Sequence, residues 1–237
     1  MTEAEMIAAL ADGQRRGTHT VDPAPYAALG RDAANRIQLG VLDAVGAKVG
    51  MLKTAVQADG AGVASPIYGA NVGRSGMRLP LANVLGLEVE VGLVLGKDVG
   101  PETDVAAAVD HYFTGIEVVG SRFSNRTAAG VNGGLADNMS ALGYVIGGEP
   151  RRLKDAIDGL TVTLEFADKQ IYAAPAKHGF GTVLASVVAY AKAQLPQLPL
   201  KAGTIITTGS LCGLVLTDGP GHAVARLGDD VVECDLV

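Results

Sequence analysis

In the run Leu87-Glu88-Val89-Glu90-Val91-Gly92-Leu93-Val94-Leu95-Gly96, acid and valine alternate and then give way to an apolar stretch. Successive strand residues project to opposite faces, so Glu88 and Glu90 share one face and Val89 and Val91 the other. The apolar continuation makes this strand interior, and two adjacent anions on an interior strand need a counter-charge, because burying an unpaired charge is costly. A divalent metal is one way to supply it. Pairing with Lys or Arg, or a strand edge open to solvent, is the other.

A second short apolar strand, Gly115-Ile116-Glu117-Val118-Val119, carries a third acid. Three carboxylates suit magnesium or manganese, which take hard oxygen ligands and leave positions open for water or substrate. The four histidines, His19, His111, His178 and His222, have no zinc-ligand spacing. There is no phosphate-binding loop, nucleophile elbow or dinucleotide fingerprint.

Around these strands the chain reads as a β-rich core with helices. Met6, Ile7, Leu10 and Ala11 follow helical spacing behind a Thr2/Glu5 capping box, and Tyr26 to Val45 returns to that spacing. Gly46-Ala47-Lys48-Val49-Gly50 reads as a turn into a buried strand, with Lys48 either a site ammonium or a surface lysine. Residues Asp59 to Arg78, rich in Gly, Ala, Ser and Asn, read as a long loop or lid around Tyr68. Asp104 to Phe113 and Leu184 to Leu195 read as helices, and Thr161 to Tyr172 as a hairpin. Thr204 to Thr208, Ala223 to Leu227 and Val231 to Leu236 read as closing strands. Residues 1–80 thus form a helical region with a lid, and residues 81–237 the β core. Arg122, just after the third acid, is placed either to hold a substrate carboxylate or to form an ion pair with a nearby glutamate. Asp137-Asn138-Met139-Ser140 reads as a polar loop.

The formal net charge of −6 and the lack of a basic stripe argue against nucleic-acid or anionic-membrane partners. The acidic N-terminus has no signal-peptide pattern and no window reaches transmembrane length, so the expected compartment is the cytoplasm. Cys212 and Cys234 are expected to be free thiols.

Five segments, in order, carry a family resemblance: Lys48 in Gly-Ala-Lys-Val-Gly, Glu88-Val-Glu90, Glu117-Val-Val-Gly-Ser-Arg122, Ala136-Asp-Asn-Met-Ser140, and Gly203-Thr-Ile-Ile-Thr-Thr-Gly-Ser210. Together they resemble the 2-hydroxypenta-2,4-dienoate hydratase and 4-oxalocrotonate decarboxylase branch of the fumarylacetoacetate hydrolase superfamily. The resemblance implies an α+β fold, a mixed β-roll with peripheral helices, and a magnesium or manganese ion held by Glu88, Glu90 and Glu117. It implies catalytic roles for Lys48, Asp137 and Ser140, and substrate contacts from Tyr68, Arg122 and the Thr208-Gly209-Ser210 turn. The implied partner is a small 2-oxo acid, and the implied assembly a homo-oligomer, a dimer or larger.

The implied reaction is hydration of 2-hydroxypenta-2,4-dienoate to 4-hydroxy-2-oxopentanoate. The alternatives are decarboxylation of a 4-oxalocrotonate-type acid, acylpyruvate carbon–carbon hydrolysis, and a ligand-binding member without catalysis. Two departures bear on the substrate tail. The acid that such hydratases carry soon after Pro-x-(Tyr/Phe)-Gly is absent from Ala70-Asn71-Val72-Gly73-Arg74, and Gly181-Thr182-Val183-Leu184-Ala185 stands where they show Gly-His-Pro-Leu-Asn.

Overall fold

Two helices open the chain, in a computed structural model that describes all residues except 81–82, 149, 151–156 and 158. Helix α1 (Glu3–Arg16) is closed at its start by the reciprocal Thr2/Glu5 capping box and at its end by Gly17 in the left-handed region (φ 61°). Helix α2 (Arg31–Val45) stops in the same way at Gly46 (φ 65°). Met6, Leu10, Ala34 and Ile37 bury the faces of the two helices together with Tyr26 and Phe123, whose rings meet edge to face at 4.8 Å.

The strands follow as β1 (Val49–Val56), β2 (Gly62–Tyr68), β3 (Val72–Arg74), β4 (Met77–Leu79) and β5 (Val84–Leu95). After a single turn, α3 (Val105–Ala108), come β6 (Val109–Gly120), α4 (Gly130–Ala136), β7 (Ala141–Ile146), β8 (Thr161–Phe166) and β9 (Lys169–Pro175). Helix α5 (Ala185–Ala191) and strands β10 (Ile205–Ser210), β11 (Val215–Leu216), β12 (Gly221–Leu227) and β13 (Asp230–Leu236) complete the chain. The larger sheet runs β2-β1-β10-β5-β6-β7-β3, with β11 added to β5, and the smaller runs β4-β13-β12-β8-β9. Leu87, Leu93, Ile116 and Val118 of the first sheet share one core cluster with Val162, Leu164, Ala225 and Val232 of the second. The buried Thr114 hydroxyl donates to Asp230 across that junction at 2.9 Å. These are the mixed sheets with peripheral helices that the family resemblance implies.

Two segments fold differently from their sequence reading. The stretch 59–78 is not a loop: it contributes β2, a short 3-10 turn at Gly69–Asn71, β3 and β4. Its small residues serve close packing, and Pro66, which has no N–H to donate, is tolerated because β2 is a sheet edge. The helix read over Asp104 to Phe113 stops after one turn, capped by the Asp104 carboxylate. From Val109 onward the β-branched and aromatic residues pair with β5 instead, in the register Glu88↔Glu117 and Leu93↔Tyr112. Helix α5 is also shorter than the reading over Leu184 to Leu195. Both cysteines are free, Cys234 buried and Cys212 half-buried.

Helix α5 packs Val187 and Tyr190 into the main core, and it lies so close to β2 that a Cβ on Gly62 would stand 2.1 Å from the Tyr190 nitrogen and 2.2 Å from the Ala189 carbonyl carbon. These are backbone atoms and cannot swing aside. Gly62→Ala is therefore expected to lower unfolding stability by roughly 1–3 kcal/mol through overpacking, read as a lower urea midpoint at unchanged m-value.

Candidate active site

Antiparallel register puts directly opposed residues on one face, and β5 and β6 oppose Glu88 to Glu117 and Glu90 to Gly115. Neighbouring β10 brings Thr207 beside Gly92, and β1 brings Lys53 beside Thr207. One face of the large sheet therefore collects three carboxylates, a hydroxyl and an ammonium. One ligand oxygen from each of Glu88, Glu90 and Glu117 lies within 4.8 Å of the others. Glu90 and Glu117 are fully buried, while Glu88 keeps 16% of its side chain exposed.

The hydrogen bonds divide the oxygens unevenly. Lys53 Nζ donates to Glu117 Oε1, lies 3.8 Å from Glu88 Oε2 and reaches the Met139 carbonyl at 3.4 Å. The Thr207 hydroxyl donates to Glu90 Oε2. Glu90 Oε1 and Glu117 Oε2 are buried and have no hydrogen-bond partner among the described residues. Buried carboxylate oxygens without a partner are costly, and in this cluster they are free to meet a cation. The set is all hard oxygen and anionic, which fits magnesium or manganese.

The electrostatics follow from the same crowding. Burial raises the pKa of Glu90 well above the ordinary carboxylate value, and the charge of Glu117 adds to the rise. Burial also pushes Glu117 up, against the pull of Lys53. For Lys53 burial works against the charged form, but the three carboxylates outweigh it and hold the ammonium above its usual range. Tyr144, opposite Glu117 on β7, is fully buried. Its ring fills the space over Gly115, where a Cβ would stand 2.4 Å from the hydroxyl. Burial first, and then the Glu90 charge, push that hydroxyl's pKa far up, so it stays protonated.

Beside Lys53 the backbone makes an unusual turn. Asn138, Met139 and Ser140 all lie in the left-handed region, with φ of 51°, 50° and 62°. For non-glycine residues this costs roughly 1–2 kcal/mol each, and such strain collects at functional sites. The turn is clamped from behind: Asp137 accepts from the Arg122 guanidinium, from Ser121 Oγ at 2.6 Å and from Arg122 N at 3.2 Å. Arg122 also donates to the Asp137 carbonyl and, at 3.2 Å, to Gln14 of α1. Burial lifts the Asp137 pKa while the guanidinium opposes it. In front of the turn a groove of about 540 Å³ is lined by residues including Ala55, Val63, Arg126, Leu135, Met139 and Ser140. Ala55 follows Lys53 on the same strand face.

The remaining candidates are spread around this centre. Lys48 is exposed at the entry to β1, and its backbone carbonyl accepts from Gly69 N at 2.8 Å. The structure does not bring its ammonium to the carboxylates. Arg122 and Asp137 meet each other, so the arginine pairs with this aspartate and not with the nearby glutamate read for it. Tyr68 is buried on β2, not on a mobile lid, and its hydroxyl accepts from Asn138. Thr208 is buried and donates to the Val91 carbonyl at 2.8 Å, with His178 Nε2 3.2 Å from its oxygen. Gly209 adopts φ 119° against the Phe180 ring. Ser210 stands opposite Glu90 in register, its hydroxyl donating to Gly213 O at 3.2 Å. His19 is exposed.

Sequence reasoning missed Lys53, Thr207 and Tyr144. Lys53 did leave a trace, as the lone charge in the otherwise uncharged strand Val49–Val56, a position where a charge needs a partner.

Comparisons with known proteins agree with this geometry. Residues 52–236 match the family model described as fumarylacetoacetate (FAA) hydrolase, C-terminal. A 2-keto-4-pentenoate hydratase from Paraburkholderia xenovorans is 32% identical over 226 residues, covering 89% of this chain and 78% of that protein. A TodF product hydratase from Pseudomonas putida is 31% identical over 199 residues, covering 80% and 71%. The solved 4-oxalocrotonate decarboxylase from Pseudomonas putida G7, complexed with magnesium and adipate, superposes with a TM-score of 0.78 over 100% of this chain and 99% of that one. At 19% identity that likeness speaks for the fold. No helix among the described residues is long and apolar enough to cross a membrane. With the match spanning most of its length and the three glutamates converging on one sheet face, this chain belongs to the fumarylacetoacetate hydrolase family.

Proposed function

We propose that this protein is a divalent-metal-dependent lyase that hydrates 2-hydroxypenta-2,4-dienoate, or a close 2-hydroxydienoic acid, to the 4-hydroxy-2-oxo acid. The observation that carries the reading is the cluster of Glu88, Glu90 and Glu117 with two buried oxygens that nothing else satisfies. The hydratase names of relatives above 30% identity support the choice of reaction. Glu88, Glu90 and Glu117 would hold magnesium or manganese, which supplies positive charge where charge develops on the substrate's C1 carboxylate and C2 oxygen.

The chain's own residues do the rest. Lys53 carries the proton-bearing ammonium beside that oxygen, the place that the family resemblance gave to Lys48. Its side chain lies on the carboxylate face of β1, opposite the face that the buried Leu52 and Thr54 occupy, which fixes the direction of approach. Asp137 and Arg122 act as positioning residues: they hold the strained turn so that the Met139 carbonyl faces Lys53 and Ser140 faces the groove. The groove, which Val63, Leu135 and Met139 line together with Gln57, Arg126 and Ser140, takes the substrate tail. Thr208, Gly209 and Ser210 shape the wall beside Glu90, and Tyr68 braces the turn through Asn138.

A second reading, decarboxylation of a 2-oxo dioic acid, is favoured by Arg126. This half-buried cation lines the groove and pairs with no carboxylate among the described residues, so it offers a partner to a distal carboxylate. Ultraviolet assays separate the readings. Loss of dienoate absorbance without release of carbon dioxide supports hydration, whereas carbon dioxide release from 4-oxalocrotonate supports the second. Turnover on either substrate is expected to fall by at least about 100-fold on chelation or in Glu90→Gln, which corresponds to losing roughly 2.7 kcal/mol of transition-state stabilisation. Full activity after either treatment would refute a metal mechanism.

Glu90 also sets a pH dependence. Its folded-state pKa lies above its unfolded value, so the native chain binds the extra proton and stability falls as pH rises from the ordinary carboxylate value toward the raised one. With chelator present, Glu90→Gln is therefore expected to melt higher than the parent at pH 8 and to lose that advantage near pH 5. Each kcal/mol of repulsion relieved corresponds to about 2–4 °C. Calorimetric melting at the two pH values checks the sign.

A further inference from the structure

Lys53 lies within the carboxylate cluster, and its position has a consequence for how the cluster binds both metal and substrate. The oxygens are partitioned: Glu117 Oε1 is bound by Lys53, Glu90 Oε2 by the Thr207 hydroxyl, and Glu90 Oε1 and Glu117 Oε2 by nothing among the described residues. Glu88, Glu90 and Glu117 would thus still have free oxygen to offer a divalent ion while the ammonium keeps its bond to Glu117 Oε1. Lys53 has little room to withdraw, with 12% of its side chain exposed and the Met139 carbonyl as its further acceptor.

We propose that Lys53 is a resident second cation of the site, retained beside the divalent ion, and that it weakens the binding of that ion while strengthening the binding of the anionic substrate. The inference rests on the reading that the three glutamates hold a divalent ion. The argument is one of charge balance. Three carboxylates against one ammonium and one divalent ion sum to zero, and a neutral site admits the carboxylate of a 2-oxo acid without repulsion. Without the ammonium the loaded site carries one net negative charge, which attracts the metal more strongly and repels the substrate. At these separations and this burial, charges act with little screening. A lysine that merely braced the fold would shift both affinities in the same direction, or neither.

The experiment is calorimetric titration of the full chain, first with magnesium chloride and then, at saturating magnesium, with 2-oxopentanoate, a saturated 2-oxo acid that lacks the reactive diene. Lys53→Met is expected to bind magnesium at least tenfold more tightly and 2-oxopentanoate at least tenfold more weakly than the parent, the scale seen when a metal ligand's hydrogen-bonding partner is changed. Lys53→Gln, which keeps a donor for Glu117 and removes only the charge, is expected to move both affinities in the same two directions, and circular dichroism checks the fold of each. Unchanged or weakened magnesium binding in the variants overturns the proposal, as does unchanged binding of the anion. Failure of both variants to fold in saturating magnesium overturns it too, because the loaded site would then need the ammonium for cohesion. A parent chain that takes up neither magnesium nor manganese would instead overturn the functional reading itself, and this inference with it.

Discussion

Three carboxylates on one face of an interior sheet repel one another, and much of the surrounding structure can be read as the answer to that repulsion. Glu88 and Glu117 are directly opposed across β5 and β6, and Glu90 lies one step along the same face. The protein meets the problem with Lys53, delivered from β1 through β10, and with the Thr207 hydroxyl. These groups leave two oxygens unsatisfied. Such oxygens cost the fold stability, and they are what a cation-binding site would use.

The second constraint is the backbone at Asn138, Met139 and Ser140. Three successive left-handed residues persist only where neighbouring groups over-determine them. Here the Arg122 and Asp137 pair does so from inside, and Gln14 ties that pair to α1. The helical layer thus bears on the site without touching the carboxylates: it holds the arginine that holds the aspartate that holds the turn. Buried ion pairs of this kind add little net stability against a well-packed apolar alternative, so their use is better sought in the conformation that they impose.

Much of this was legible along the chain. Period two placed Glu88 and Glu90 on one face, a short apolar strand flagged Glu117, and the capping box marked the start of the first helix, while the second, read from Tyr26, begins only at Arg31. Reading failed where composition stood in for pairing. Small residues between 59 and 78 suggested a loop but form an edge strand against β1, and helical spacing from Asp104 yielded to strand pairing at Val109. Lys48 drew attention because glycines flank it, yet those glycines serve a turn and a close approach to Gly69.

By itself the sequence determined the strand faces and the chemistry they carry, because side-chain alternation is a local property of the backbone. It also determined the start of the first helix, where capping depends on residues within one turn. Only the tertiary structure decided which cation meets the glutamates. Lys53 lies 35 positions before Glu88 and 64 before Glu117 in the chain, and it reaches them only because β10, from the far end of the chain, is inserted between β1 and β5. Such an arrangement depends on the order of strands in a sheet, which is a global property and leaves no spacing to read.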